Sequence, residues 1–127
     1  MKALVVDDEL DIVEEVCAFL NRRGHQAVGA GGVDEACRSL DADGPFDVVL
    51  TDMRMAPGTG LDVIRACNQL HEPRPAMFLL TGQASAEQIG EATKEGVVSV
   101  LSKPLAFRAL LDIMTKLGPS GGSSGSS

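Results

Sequence analysis

The chain has 127 residues, of which 44% are hydrophobic and 23% are charged, so it is long enough for one domain with one core. Its formal net charge of −7 argues against direct binding to nucleic acid, because that affinity comes mainly from Lys and Arg on phosphates. No apolar run approaches the roughly 20 residues of a membrane span, and no basic segment followed by an apolar one opens the chain. The three cysteines are an odd number and form no CxxC pair, so we expect them to be small buried residues in a reducing compartment. We therefore expect a cytoplasmic protein without a secretory signal or a membrane segment.

Apolar strands and amphipathic helices alternate five times along the chain. The predicted strands lie near residues 2–6, 26–30, 46–51, 76–81 and 97–101, and the predicted helices near 9–23, 33–41, 60–71, 85–94 and 105–117. This alternation predicts an α/β fold with a parallel sheet. The first, third and fourth strands are continuously apolar, as expected when helices cover both faces, whereas the second is weaker and fits an edge. We assign residues 1–117 to the folded domain and residues 118–127, rich in Gly and Ser, to a flexible linker or tail.

The fourth predicted helix differs from the others in its small apolar content. Ser85 and Gln88 form a capping-box pattern that favours a helix start at this point. Ile89 is its only large apolar residue, however, and Gly90 inside the helix is unfavourable by roughly 1 kcal/mol relative to alanine. We therefore expect this helix to be lightly anchored and easily moved.

Polar residues stand at the ends of four predicted strands. Asp7 and Asp8 follow the first strand, Asp52 follows the third, Thr81 ends the fourth and Lys103 follows the fifth. The carboxyl ends of parallel strands form the edge at which open α/β folds bind ligands. Alone, each residue has an ordinary explanation, since acidic residues cap helices, threonine favours strands and lysine favours solvent. Their shared position favours one pocket that binds a divalent cation and a phosphoryl group.

Converging carboxylates need a positive charge nearby. Two like charges about 4 Å apart repel by about 4 kcal/mol at an effective dielectric constant near 20. Mg²⁺ meets this need, because it prefers oxygen ligands and takes one or two carboxylates together with phosphate oxygens. We expect Asp8, Asp52 and the backbone carbonyl of Arg54 to bind Mg²⁺ directly, with Asp7 acting through a water molecule. Mn²⁺ can replace Mg²⁺ at such a site.

Asp52 has a second predicted role as the phosphoacceptor. An aspartate carboxylate can form an acyl phosphate, and phosphoryl transfer depends mainly on in-line geometry and charge neutralisation. We expect Lys103 to neutralise one phosphoryl oxygen and the hydroxyl of Thr81 to donate to another. Because X-Pro is the only common site of a cis peptide bond, we also predict a cis bond between Lys103 and Pro104.

Taken in order, these signals form one pattern: Val5-Val6-Asp7-Asp8-Glu9, Asp52-Met53-Arg54-Met55 with Gly60, Thr81-Gly82, and Lys103-Pro104. The pattern resembles the receiver domain of two-component response regulators, and the resemblance covers residues 2–117. It implies a flavodoxin-like, doubly wound fold with a five-stranded parallel sheet of order 2-1-3-4-5 and five flanking helices.

The resemblance also implies a function. A sensor histidine kinase or a histidine phosphotransfer protein phosphorylates Asp52 with Mg²⁺ at the acidic cluster, and Thr81 moves toward the phosphoryl group. The face formed by the fourth helix, the fifth strand and the fifth helix then shifts and controls an output partner or domain. Such a receiver promotes its own phosphorylation and dephosphorylation but is not a turnover enzyme.

Two positions depart from the pattern of the family. The proline after the phosphorylated strand is Pro57, one place later than usual, while Gly60 stays in step. We therefore expect an altered loop and a retained site. Val100 stands where the family carries an aromatic residue that swings inward, and a valine cannot report by ring rotation. The lightly anchored fourth helix is our alternative carrier of the signal.

Two other functions fit part of the sequence. A phosphorylation-independent interaction module with the same fold has no need of the acidic residues, all three of which are present. A phosphohydrolase with an aspartyl-phosphate intermediate usually carries a second aspartate two residues after the nucleophile as a general acid. Arg54 occupies that position here, which argues against the hydrolase.

Overall fold

The computed structural model describes residues 1–83 and 85–117, in which strands and helices alternate throughout. In chain order the elements are β1 (Lys2–Val6), α1 (Leu10–Arg22), β2 (Gln26–Ala30), α2 (Val33–Ala42), β3 (Val48–Asp52), α3 (Gly60–Asn68), β4 (Ala76–Thr81), α4 (Ala86–Lys94), β5 (Ser99–Ser102) and α5 (Phe107–Leu117). The predicted tail of residues 118–127 lies outside the described residues. None of the described helices is long and apolar enough to cross a membrane.

The five strands form one parallel sheet of order β2-β1-β3-β4-β5, which confirms the order implied by the resemblance. β2 is an edge strand, as predicted from its weaker apolar pattern. The register pairs Val6 with Thr51 and Thr81 with Ser102, so the strands end at nearly the same level. Residues at or just after the strand ends therefore meet at one edge of the sheet.

Two apolar layers cover the two faces of the sheet. Successive residues of β1 alternate between them, because side chains of a strand point to opposite faces. Leu4 and Val6 belong to the layer beneath α2, α3 and α4, whereas Ala3 and Val5 belong to the layer beneath α1 and α5. Every residue of β3 is buried, as expected for a strand covered on both faces. The helices thus hold the central strand ends in fixed positions.

Four predicted boundaries are wrong by two or three residues. α3 ends at Asn68 and not at residue 71, because the N–H groups of Gln69 and Leu70 donate to carbonyls only three residues earlier. β5 begins at Ser99 and not at residue 97, because the N–H of Val97 instead closes the end of α4. Two other elements start two residues later than predicted: β3 at Val48 and α5 at Phe107.

α4 is lightly packed, as its sequence predicts. Ala92 is its only buried residue. The predicted capping box is present, since Ser85 Oγ accepts from the N–H of Gln88 at 3.0 Å and the N–H of Ser85 donates to Gln88 Oε1 at 3.1 Å. The cap stabilises the start of α4, but a single buried alanine attaches the helix only weakly to the sheet.

Polar contacts with α3 supply the attachment that the apolar core does not. Arg65 forms ion pairs with Glu91 at 3.5 Å and with Glu95 at 3.3 Å. The Asn68 side-chain amide donates to the backbone carbonyl of Glu95 at 2.7 Å. We call these four residues the α3–α4 clamp. Because the ion pairs are exposed, each contributes at most about 1 kcal/mol.

Candidate functional site

Three carboxylates meet at the carboxyl edge of the sheet. Asp52 is the last residue of β3, and Asp7 and Asp8 follow the end of β1. One carboxylate oxygen from each of the three lies within 4.8 Å of the others. Asp7 is fully buried and Asp52 is 5% exposed, whereas Asp8 faces solvent. The predicted convergence of the acidic residues is therefore present.

The Lys103 ammonium group binds two of these carboxylates directly. Its Nζ donates to Asp7 Oδ2 at 2.7 Å and to Asp52 Oδ2 at 3.2 Å, although Asp7 lies 96 positions away in the chain. The backbone N–H of Lys103 donates to the carbonyl of Thr81, which fixes this residue beside the end of β4. The Lys103–Pro104 peptide bond is cis, as predicted.

The local electrostatics favour additional positive charge. Burial raises the pKa of the Asp52 carboxyl above its ordinary value, and the charge of Asp7 raises it further, against the opposing hydrogen bond from Lys103. For Lys103, burial by itself lowers the pKa of the ammonium group, but the hydrogen bonds to Asp7 and Asp52 outweigh it and the pKa is raised. Two of the three clustered carboxylates thus share one ammonium group, and their hydrogen bonds favour its charged form.

A cavity of about 400 Å³ opens above these groups. It is lined by Asp8, Glu9, Asp52, Arg54, Gly82, Gln83 and Lys103. Thr81 lies buried at the same edge, and its Oγ1 accepts from the N–H of Gln83 at 3.1 Å. Gly82 and Gln83, rather than Thr81, therefore border the cavity. A hydroxyl that accepts one hydrogen bond can still donate its own hydrogen, so Thr81 only has to come within reach of a group bound there.

Comparison with known proteins identifies the type of domain. The response regulator receiver domain family matches residues 3–115 of the chain. The chain belongs to this family. Receiver domains are parts of two-component signalling systems, and this one has the five parallel strands and five helices of its solved relatives.

Individual relatives agree with this assignment. The response regulator protein PilR of Pseudomonas aeruginosa is 38% identical over 113 residues, which are 89% of this chain and 25% of PilR. The response regulator receiver protein Anae109_2439 of Anaeromyxobacter is 31% identical over 110 residues, 87% of this chain and 45% of that protein. A solved response regulator receiver protein from Pseudomonas putida has a TM-score of 0.84 and 33% identity, with 91% of this chain and 95% of that chain covered. The receiver domain thus spans a quarter to a half of these two curated relatives.

The loop after Asp52 packs against the end of β3 and so holds Asp52 in place within the receiver domain. At the end of the loop, Thr59 and Asp62 form a capping box that starts α3. Gly60 packs directly under the strand end, where a Cβ atom would lie 2.3 Å from the backbone oxygen of Asp52. Pro57 lies in the exposed part of the loop, and the acidic cluster is intact despite its displaced position. The expectation of an altered loop with a retained site is consistent with this arrangement.

The donor set of the receiver domain fits a hard divalent cation. All three clustered side chains offer carboxylate oxygens, the ligands that Mg²⁺ prefers. Both oxygens of Asp7 already have partners, since Oδ2 accepts from Lys103 and Oδ1 accepts from the N–H of Glu9. Asp8 is exposed to the cavity, and Arg54 lines the same cavity.

One participant was not predicted from the sequence. The Glu9 carboxylate lies 3.6 Å from Lys103 Nζ, so three carboxylates contact one ammonium group. Glu9 is also the N-cap residue of α1, which it serves through its backbone, without a side-chain cap hydrogen bond. The acidic run Asp7-Asp8-Glu9 is the only sequence signal for this contact, and it does not say which of its members reaches the lysine.

Proposed function

We propose that this receiver domain accepts a phosphoryl group on Asp52 from the phosphohistidine of a sensor histidine kinase or a histidine phosphotransfer protein. One observation carries the proposal. The Asp52 carboxylate sits at the floor of an open cavity, 3.2 Å from Lys103 Nζ and clustered with two further carboxylates. A nucleophile, a fixed positive charge and cation ligands are the groups that phosphoryl transfer requires.

Each of three side chains has its own role in the proposed reaction. A carboxylate oxygen of Asp52 attacks phosphorus, the phosphorus–nitrogen bond to the donor histidine breaks, and the imidazole leaves with the electron pair of that bond. Lys103 neutralises one phosphoryl oxygen as a point charge. Thr81 donates its hydroxyl hydrogen to a second oxygen, and its Oγ1 can still accept from the Gln83 N–H. Attack of water on phosphorus later releases inorganic phosphate and restores the carboxylate. The domain thus promotes only its own phosphorylation and dephosphorylation and acts as a switch.

The carboxylates hold the cation that the chemistry needs. Asp8, Asp52 and the backbone carbonyl of Arg54 bind Mg²⁺ or Mn²⁺ directly, and Asp7 acts through a water molecule. The exposure of Asp8 and the two hydrogen bonds already accepted by Asp7 support this division. A cation held by these residues would supply positive charge to the phosphoryl oxygens during transfer.

Phosphorylation of Asp52 is directly testable. Incubated with acetyl phosphate and Mg²⁺, the parent is expected to gain the mass of one phosphoryl group, and Asp52→Asn is expected to stay at its unmodified mass because an amide is not a competent nucleophile. Intact-mass spectrometry measures both. Asp112→Asn, an exposed aspartate of α5, is the matched control and should be modified like the parent. A parent that stays unmodified, or an Asp52→Asn variant that is modified, contradicts the proposal.

The signal passes to a partner or to an attached output domain. PilR and Anae109_2439 are considerably longer than the part that this chain matches, which supports an output region beyond a receiver in such proteins. The face formed by α4, β5 and α5 changes on phosphorylation and is read by the output. Val100 is only partly buried in β5 and offers no ring to rotate, so α4 carries the change.

The light anchoring of α4 leads to a second prediction. Beryllofluoride with Mg²⁺, a phosphoryl mimic, should alter the hydrogen exchange of the α4 amides more than that of the buried β3 amides. In the unmodified protein, Arg65→Gln should raise α4 exchange rates about three- to five-fold, because two ion pairs together worth on the order of 1 kcal/mol are lost. Exchange measured by NMR or mass spectrometry reports both effects.

Another exposed ion pair provides the control for Arg65. Arg74 pairs with Glu72 at 3.3 Å, and neither residue belongs to α3 or α4. Arg74→Gln should therefore leave α4 exchange unchanged. Equal hydrogen exchange of the α4 amides in the two variants would show that the α3–α4 clamp does not stabilise α4. Unchanged protection of these amides on addition of the mimic would show that α4 does not carry the signal.

A further inference from the structure

The Lys103 ammonium group has one carboxylate contact that the proposed chemistry does not use. Its ion-pair partners among the described residues are Asp7 at 2.7 Å, Asp52 at 3.2 Å and Glu9 at 3.6 Å. An ammonium group has three N–H donors, so it can satisfy three carboxylates at once. The Glu9 side chain is 66% exposed, whereas that of Asp7 is fully buried and that of Asp52 is 7% exposed. Glu9 is thus the outer member of the set.

The contact of Lys103 with Asp52 competes with cation binding, because Asp52 is a direct ligand in the proposed cation site. Asp7 and Asp52 belong to the three carboxylates that cluster within 4.8 Å, and Glu9 does not. When these carboxylates engage a divalent cation, Lys103 loses part of its hydrogen bonding and gains a repulsive neighbour. Two unit positive charges about 4 Å apart repel by about 4 kcal/mol at an effective dielectric constant near 20, and a divalent ion repels more. Glu9 lies outside the cluster and stays fully available to the ammonium group.

The backbone holds Glu9 in the place that this task requires. Its N–H donates to Asp7 Oδ1 at 2.9 Å, and its carbonyl accepts from the N–H groups of Ile12 and Val13 in the first turn of α1. Its side chain borders both the acidic cavity and the neighbouring cavity between α1 and the segment after β5. Lys103 also borders both cavities, so the two residues lie where the cavities adjoin.

We propose that Glu9 is a positioning residue for Lys103, which keeps the ammonium group at the rim of the cavity when Asp52 turns to the cation. This inference rests on the proposed cation site. In the cation-bound state Glu9 offsets part of the charge repulsion on Lys103 and keeps its Nζ within reach of an incoming phosphoryl oxygen. Glu9 touches neither the cation nor the phosphoryl group, and it acts through the lysine.

Mg²⁺ affinity tests the inference without any phosphodonor. Glu9→Gln should weaken Mg²⁺ binding about three- to five-fold, the loss of one partly exposed ion pair. Glu15→Gln is the matched control. Glu15 also lies exposed on α1 and borders the neighbouring cavity, but no ion pair joins it to Lys103 within the described part of the chain. Isothermal titration calorimetry at constant ionic strength should show a smaller change for this variant.

The Glu9→Asp variant distinguishes a direct contact with Lys103 from a general effect of negative charge near the cavity. Glu9→Asp keeps the negative charge at the cavity but removes one methylene, so it should not reach across a contact that is already 3.6 Å long. We expect its Mg²⁺ affinity to resemble that of Glu9→Gln. If Glu9→Asp binds Mg²⁺ like the parent, the residue acts through its field alone and the positioning role is wrong.

The side chain of Lys103 gives a direct readout. Its ammonium resonance can be followed by ¹⁵N NMR and assigned by its loss in Lys103→Arg. On saturation with Mg²⁺ the signal should persist in the parent and in Glu15→Gln and should broaden in Glu9→Gln, because a less tethered ammonium group exchanges faster with water. An identical response in all three proteins overturns the inference. If the parent binds no Mg²⁺, the proposed function has failed; if it binds Mg²⁺ and is phosphorylated while Glu9→Gln behaves like Glu15→Gln, only the role of Glu9 has failed.

Discussion

Lys103→Met should lower the free energy of unfolding of the metal-free protein by about 3–5 kcal/mol at neutral pH, the range found when one partner of a buried ion pair is removed. The substitution deprives the fully buried Asp7 of a partner at 2.7 Å and leaves it beside Asp52 without a compensating charge. Urea unfolding followed by circular dichroism measures the loss, since the chain contains no tryptophan. Lys116→Met, an exposed lysine of α5, is the control and should change stability by less than about 0.5 kcal/mol.

Mg²⁺ should reverse part of this loss. A ligand that binds only the folded state stabilises it in proportion to the logarithm of its concentration over its dissociation constant. Without Lys103, Asp7 and Asp52 are freer to bind the cation, so Lys103→Met should gain more stability from Mg²⁺ than the parent does. If the variant is as stable as the parent without Mg²⁺, the ion pairs at the site contribute little and the electrostatic account is wrong.

The pKa shifts give this pair a defined pH dependence. The raised pKa of Lys103 means that its contribution is present below the ordinary lysine value, near 10.4, and is lost as pH rises through the folded-state value. The raised pKa of Asp52 has the opposite sign, since its charge disfavours folding above the folded-state value. Asp52→Asn should therefore raise the free energy of unfolding of the metal-free protein at neutral pH. That gain should vanish as pH falls below the ordinary aspartate value, near 3.9.

Gly60→Ala should weaken both the fold and the phosphorylation of Asp52. The new Cβ would lie 2.3 Å from the Asp52 backbone oxygen and 3.0 Å from the Met53 Cα, and backbone atoms cannot move aside as a flexible side chain can. We expect a loss of about 1–3 kcal/mol in the free energy of unfolding. Because a displacement of about 1 Å can slow a reaction on the order of 100-fold, phosphorylation by acetyl phosphate should fall by ten-fold or more.

A second glycine substitution serves as the control for this steric effect. Gly90 lies in α4, and a Cβ built there meets no atom within 4 Å. Gly90→Ala should therefore stabilise the protein by about 0.5–1 kcal/mol through the higher helix propensity of alanine, with an unchanged phosphorylation rate. If Gly60→Ala matches the parent in stability and in phosphorylation, the close packing of Gly60 against the Asp52 backbone does not matter for either property.

The sequence predicted the type and order of every element, because period and composition are local properties of the chain. Continuous apolar runs predicted the buried strands β1, β3 and β4, and the capping box of Ser85 and Gln88 predicted the start of α4. The boundary errors lie where backbone hydrogen bonds, rather than apolar periodicity, end an element. The last turn of α3 and the link between α4 and β5 are the clearest cases.

The sequence predicted which residues of the site share one edge of the sheet, but it did not predict every contact between their side chains. The strand-end positions of Asp7, Asp52 and Lys103 predicted their convergence, and all three side chains are in contact through the lysine. Whether they bind Mg²⁺ and transfer a phosphoryl group stays a prediction. The hydrogen bond that Thr81 accepts from Gln83 and the contact of Glu9 with Lys103 could not be predicted, since they depend on side-chain rotamers that only the packed neighbours select.

The sequence by itself determined an alternating α/β chain with acidic, hydroxyl and basic residues at the ends of its strands. Its motifs placed it, by resemblance, among the receivers. Only the tertiary structure decided that Lys103 contacts three carboxylates, that Gly60 packs beneath Asp52, and that polar contacts fasten α4 to α3. The physical reason is range: propensity and periodicity act over a few neighbouring residues, whereas an ion pair between Asp7 and Lys103 exists only after the whole sheet has brought distant strand ends together.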